Sequence, residues 1–160
     1  MITALPTSAA FEVNETSAYS SARKLSVCHA MQQNGLSMTI GPGALFCTAA
    51  MIREMAPDQN ADDAATDHAR EVATRLLEGC AIATPCSISA ISIDQFEHDI
   101  LIRWQLNGKG LILTCPGEPQ VEPSLYRERV ENNRAVNPEM LRNPTSQDMA
   151  RSMTWMLFSE

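Results

Sequence analysis

DILIRWQLNGKGLILTC, residues 99–115, is the stretch of sequence that decides the fold. Apolar residues alternate with polar or less buried positions on both sides of Asn107-Gly108, as they do in half-buried strands. An Asn-Gly pair adopts the positive φ angles of a two-residue turn. Such a turn sets Trp104 opposite Leu111, Ile102 opposite Leu113 and Ile100 opposite Cys115. The stretch therefore predicts a β-hairpin with one apolar face, and a four-residue loop would keep the same residues on that face.

Two further segments predict strands beside the hairpin. Residues 86–93 are rich in small and β-branched residues, with an irregularity expected near Ser89-Ala90. Residues 121–130 alternate, and Pro123 together with charges on both faces predicts an edge strand there. We therefore expect a three- or four-stranded antiparallel meander over residues 86–130.

Segments with apolar residues at helical spacing flank the predicted sheet. They are residues 20–34, with Ala22, Leu25, Cys28 and Met31 on one face, residues 44–55, residues 63–78, and residues 146–158 after a polar loop over 131–145. Gly79 is expected to end the third helix, because glycine takes the left-handed conformation that closes helices. The predicted fold class is α+β, with the antiparallel meander packed against N-terminal helices and a C-terminal helix.

The length predicts a single domain over residues 1–160. A chain of about 150 residues buries roughly 70% of its unfolded surface, so it needs no disulfide or metal to fold. Residues 1–18 show no sustained period, which predicts a mobile tail, with a short edge strand at Phe11 and Val13 as the alternative. The remaining parts are a helical part over 19–79, the sheet over 86–130 and a closing helix over 146–158.

The charge is acidic and unevenly distributed. The net charge is -7, with 12 acids against 5 bases in residues 1–99 and 7 of each in residues 100–160. Phosphate backbones repel an acidic surface, so nucleic acid is not expected as a direct partner. Acidity alone also keeps a protein soluble, and this simpler explanation stays open.

The sequence predicts a cytoplasmic protein. It has neither a basic and apolar leader at its N-terminus nor an apolar run of about 18 to 20 residues, so no membrane association is expected. An odd number of irregularly spaced cysteines favours reduced thiols over a disulfide framework. They are Cys28, Cys47, Cys80, Cys86 and Cys115.

Sequence motifs for catalysis, metals and cofactors are missing. The chain has no Gly-x-Ser-x-Gly, His-Glu-x-x-His or phosphate-loop pattern, and its cysteines lack the short spacing of zinc ligands. We therefore expect no cofactor and no metal. Cys28-His29 is the one suggestive dipeptide, but neighbouring residues on a helix point about 100° apart. A nucleophilic Cys28 would need His68 or His98 brought close by the fold.

The function that these features favour is non-catalytic. The preferred hypothesis is a regulatory protein of the antitoxin, immunity, inhibitor or assembly-factor type, whose acidic surface binds another protein, one of basic charge. Methionine-bearing helix faces and the open strand expected over 121–130 offer docking surfaces, although core packing explains methionine stripes equally simply. The alternative is a small cysteine-dependent hydrolase or transferase that uses Cys28 with a spatially adjacent histidine.

Overall fold

The computed structural model describes residues 40–41, 43–56 and 63–158. In chain order the elements are β1 (Ile40–Gly41), α1 (Ala44–Glu54), α2 (Asp63–Ala83), β2 (Ser87–Ile88), β3 (Ser92–Phe96), β4 (Asp99–Leu106), β5 (Lys109–Cys115), β6 (Ser124–Glu131), β7 (Arg134–Arg142) and α3 (Ser146–Leu157). Strands β3 to β7 form one antiparallel sheet in chain order, and β1 pairs with β2 in a second, two-stranded sheet. The predicted tail over 1–18 and helix over 20–34, with Cys28, lie outside the described residues.

The α+β prediction and the central hairpin are confirmed. Strands β4 and β5 pair in the expected register, with Ile100 opposite Cys115 and Trp104 opposite Leu111. The connecting turn is the two-residue loop, since Asn107 has φ 53° and Gly108 has φ 71°. These positive angles match the twist of the flanking strands, which is why Asn-Gly fixes this register.

The helices pack against one face of the five-stranded sheet. That face presents the alternate apolar residues of β4 and β5, and they share one buried cluster with α2 and α3. Trp104 is the largest fully buried side chain, and its indole N–H donates to the Ile88 carbonyl at 3.1 Å. This bond ties the two-stranded sheet to the larger one.

Strand β7 corrects the prediction for the segment after β6. Residues 131–145 were expected to be a polar loop, but Arg134–Arg142 forms a strand that pairs along β6. Asn132 and Asn133, with φ 51° and 61°, make a second two-residue turn. The sheet therefore has five strands. A strand does form within the predicted region, at β6, but the prediction that it is an edge strand is wrong, because β6 is paired on both sides.

The end of α2 corrects a second expectation. Gly79 was predicted to close the helix, but α2 continues to Ala83. A Cβ atom at Gly79 would lie 2.1 Å from Ser146 Oγ and 2.8 Å from Ser146 Cβ. Glycine at this position therefore serves the close approach of α3 to α2, and not a C-terminal cap.

The segment over 86–93 contributes to two separate strands, with a break at the irregularity predicted near Ser89-Ala90. It forms β2 at Ser87–Ile88, leaves regular structure at residues 89–91, and begins β3 at Ser92. The break lets β2 pair with β1 while β3 pairs with β4. One apolar run therefore contributes to both sheets.

Both ends of α3 are fixed by specific hydrogen bonds. Thr145 is the N-cap, and with Asp148 it forms a capping box in which each side chain bonds the other residue's backbone N–H. The bonds from Thr145 hold the pKa of the Asp148 carboxyl below its usual range. At the other end, buried Lys109 donates to the carbonyls of Trp155 at 2.6 Å and Phe158 at 2.9 Å. A cation is favourable there because unpaired carbonyls make a helix C-terminus negative.

Candidate functional site

The second face of the five-stranded sheet is the candidate binding surface of the protein. Residues directly opposite each other in a ladder share a face, so the register assigns each side chain to one face or the other. We call the face opposite the described helices the open face. Its residues are exposed or half-buried, and they include Leu101, Arg103, Ile112, Thr114, Tyr126 and Met140.

Across the middle of the open face runs a line of four residues, one from each of four adjacent strands. Arg103 lies opposite Ile112, Ile112 opposite Tyr126, and Tyr126 opposite Met140. Strands are about 4.8 Å apart, so this central row extends over roughly 14 Å. Met140 is 59% exposed at one end of the row, which leaves an apolar side chain of the β7 edge in contact with solvent.

Polar groups surround the apolar part of the open face. Asp94 on β3 lies 4.0 Å from the Arg103 guanidinium. On β6 the Tyr126 hydroxyl donates to Glu128 at 2.8 Å, and this bond to the carboxylate raises the pKa of the phenol. An apolar centre with a polar margin is the usual anatomy of a protein-binding surface.

The free edges of the sheet are less suited to docking than its face. Within the described residues, β3 and β7 are the edge strands of the five-stranded sheet. Strand β7 contains Pro138, and Asn137 has φ 51° where the register with β6 shifts. Proline and irregular backbone both discourage pairing with a further strand. The strand expected to be open over 121–130 is not available as a docking edge either, because β6 is paired on both sides.

A cleft of about 190 Å³ lies between the β6–β7 hairpin and α3. Its charged side chains form ion pairs, Arg127 with Glu139 and Arg151 with Asp148. Leu125 and Leu141 supply the apolar part of its lining. Because both lining arginines already have carboxylate partners, the cleft presents no uncompensated charge of its own to attract an ion.

The predicted pairing of Cys28 with a histidine stays a prediction. Cys28 lies outside the described residues, while His68 on α2 and His98 in the β3–β4 turn are both half-buried. Burial raises the pKa of the Cys80 thiol and that of the Cys115 thiol from 9.0 to about 12. These two thiols therefore belong to the core and lack the ionised form that a nucleophile requires.

We expect Cys80 and Cys115 to react with iodoacetamide at pH 8 about a thousandfold more slowly in the native chain than in urea. With a pKa near 12, about one thiol in ten thousand is ionised at that pH, against about one in ten at the reference pKa of 9.0. Mass spectrometry of labelled peptides measures each site separately. Equal native and unfolded rates would contradict the burial, and uniformly slow labelling that includes Cys28 would remove the cysteine-enzyme alternative.

Comparisons with known proteins add no family assignment: no family model, curated protein or solved structure matches the chain. Among the described residues, no three His, Cys, Asp or Glu side chains gather closely enough to hold a metal ion. In the same part of the chain, no helix has the length and apolar character needed to cross a bilayer. The open face was not predicted from the sequence, although two of its residues, Arg103 and Ile112, occupy the alternate positions of the predicted hairpin.

Proposed function

We propose that this is a non-catalytic, cytoplasmic protein of regulatory type that binds a partner protein through the open face of its five-stranded sheet. The observation that carries the proposal is the central row, in which Ile112, Tyr126 and Met140 stand side by side on a face that the described helices do not cover. Inhibitors, antitoxins, immunity proteins and assembly factors all act by covering a partner's surface, and no catalytic group is needed for this role.

The chemistry of the central row supports protein recognition. Tyrosine and arginine are enriched at the energetic centres of interfaces, and methionine adapts its shape to an irregular partner. Arg103 and Tyr126 lie on either side of Ile112 in the row, and Met140 follows Tyr126. A rigid sheet holds these groups in fixed positions, so that little side-chain and backbone freedom is lost when a partner binds.

The net charge of -7 favours a partner with a basic surface. Opposite charges accelerate encounter and help to align two proteins, while the apolar contacts hold them together afterwards. Exposed acids of α2 such as Asp67 and Glu71 lie on the helix side of the sheet, so they would attract a basic partner at long range and not by contact at the open face. Such binding weakens with salt, because ions screen charges that are exposed to solvent.

Met140→Arg is expected to reduce capture of the partner at least tenfold, because it removes an apolar contact and adds a charge that a basic partner repels. Ile82→Arg is the matched control, since Ile82 is 80% exposed near the end of α2 and lies off the sheet. The measurement is an affinity pull-down from the native host at low and high salt, quantified by mass spectrometry. Undiminished capture by the Met140 variant, or loss in both variants alike, would refute docking on this face.

A further inference from the structure

We propose that a second copy of this chain covers the open face when no partner is bound. The free protein is then a two-fold dimer in which two five-stranded sheets pack face to face. The consequence for binding rests on the proposed function, because a partner that docks on this face has to displace the second copy.

The open face leaves apolar groups of the described chain in water. Phe96 on the β3 edge is 70% exposed and Met140 on the β7 edge is 59% exposed, with half-buried Leu101 and Ile112 between them. All three described helices contribute to the buried cluster on the other face. A sheet with a second apolar face commonly buries it against another sheet, about 10 Å away.

Charges of opposite sign lie at the two edges of the open face, on one row across the sheet. This charged row takes one residue from each of the five strands, in the order Asp94, Leu101, Thr114, Ser124 and Arg142. Arg142 is exposed and, within the described part of the chain, forms no ion pair. The row therefore has an acid at the β3 edge and an available base at the β7 edge.

A two-fold axis makes this row complementary to itself, since every contact in a two-fold dimer occurs twice. An axis parallel to β5, between two facing sheets, places β3 over β7 of the second copy and keeps each row over its own copy. Asp94 of each chain then faces Arg142 of the other. Sheets packed in this way cross at about 30°, which shifts residues at the edges by only about 5 Å, within reach of an arginine side chain.

The same axis also matches the central row. It places β4 over β6, so that Arg103 faces the Tyr126 ring of the second copy, and it brings Ile112 against Ile112. Guanidinium groups are attracted to aromatic faces. An axis perpendicular to the strands would place every strand over its own copy, and Asp94 would then face β3 in place of Arg142. The placement of the charges therefore favours the axis parallel to β5.

The acidity of the chain does not oppose this contact. The acidic excess lies in residues 1–99, whereas residues 100–160 contain 7 acids and 7 bases. On the open face, Asp94 lies near Arg103, and Glu128 accepts the hydrogen bond of Tyr126. With Arg142 the face has two acids and two bases in these rows. Two copies therefore meet through surfaces whose charges cancel.

The first test is sedimentation equilibrium of the purified full-length chain over a wide range of concentration. We expect a mass of about 35 kDa, twice the 17.5 kDa of one chain. Asp94→Arg, and separately Arg142→Asp, should each raise the dissociation constant of the dimer at least about tenfold, because each creates two like-charge contacts. The two changes combined should return it to within about threefold of the original value.

Glu71→Arg is the matched control for charge reversal. It makes the same change of charge at an exposed acid of α2, on the helix side of the sheet, and should leave the dissociation constant unchanged. Circular dichroism checks that every variant is folded. A monomer at all concentrations, or a dimer that responds to Glu71→Arg as strongly as to Asp94→Arg, would overturn the inference.

A cross-link tests which face is in contact. Thr114 lies on β5 next to the proposed axis, so Thr114→Cys brings two thiols together across the dimer. The background is Cys28→Ser with Cys86→Ser, which leaves three buried thiols. A short bis-maleimide should join two copies through position 114 roughly tenfold more efficiently than through position 82 in Ile82→Cys, since groups held in contact have a high effective concentration. Linkage that favours position 82 would show that another surface forms the dimer.

Failure of this dimer and failure of the proposed function give different results. If the chain is monomeric while Met140→Arg abolishes partner capture, the docking face stands and the dimer is wrong. If charge reversal separates the dimer but Met140→Arg leaves capture unchanged, the dimer stands and the docking proposal is wrong. If both hold, the captured partner should convert the dimer to a complex with one copy of this chain, because the two compete for one face.

Discussion

Trp104→Ala is expected to lower the free energy of unfolding by about 3 to 5 kcal/mol, the range observed when a large buried aromatic residue is truncated. Trp104 is 1% exposed and packs between the sheet and the helices. The substitution opens a cavity and also leaves the Ile88 carbonyl without the indole donor. A loss of this size is a large part of the 5 to 15 kcal/mol that typically separates folded from unfolded chains.

Urea unfolding followed by far-ultraviolet circular dichroism measures this effect without depending on tryptophan fluorescence. Trp104→Phe separates the two contributions, because it keeps an aromatic ring in the core and removes only the N–H donor and part of the ring. It should cost about 1 to 3 kcal/mol, the usual penalty for an unsatisfied buried polar group. Ile82→Ala, at an 80% exposed position, should change stability by less than about 0.5 kcal/mol. A loss below about 1 kcal/mol for Trp104→Ala would contradict its central role.

The hairpin was predictable because its determinants are local. Alternation of apolar residues identifies both strands, and the two-residue turn at Asn107-Gly108, one of the two loops that the sequence allowed, sets their register. The same reasoning places Trp104 on the buried face before any helix is considered. Short-range patterns thus specify the centre of the fold, to which α2 and α3 are then added through their own apolar stripes.

Strand β7 was missed although a local signal for it existed. Asn132-Asn133 separates Glu131 from Arg134 as a two-residue turn should, since asparagine accepts positive φ. The strand itself is almost entirely exposed, so it lacks the apolar alternation that identified β4 and β5. Pairing with β6 forms this strand, and hydrophobic pattern alone does not reveal it.

The candidate site was less predictable than the fold, because it is defined by what covers each face. Ile112 and Leu113 are adjacent and both apolar, yet Leu113 is buried under the helices and Ile112 lies on the open face. The hairpin sequence identifies the apolar face on which α2 and α3 pack, but it does not show that the described helices leave the second face uncovered, which is a tertiary property. The central row also depends on β7, since Met140 completes it.

Gly79→Ala is expected to lower the free energy of unfolding by about 1 to 2 kcal/mol, the cost of overpacking a tight contact less the gain in helix propensity. In an exposed helix interior the same change would stabilise the protein by up to about 1 kcal/mol. Here the new Cβ would lie 2.8 Å from Ser146 Cβ, which rotation of the serine hydroxyl does not relieve, so α3 must move away from α2. Chemical denaturation measures the change, and any increase in stability would show that α3 does not approach α2 this closely.

Ser146→Gly tests the contact from the other side. It removes both atoms that a Cβ at Gly79 would meet, and it leaves the capping box intact because Thr145 and Asp148 form it. The single change should cost about 0.5 kcal/mol, the difference in helix propensity between serine and glycine. Combined with Gly79→Ala it should restore the lost stability, with a coupling free energy of about 1 to 3 kcal/mol. Additive effects would mean that Gly79 is required for a reason other than space for Ser146, such as the path of α2 itself.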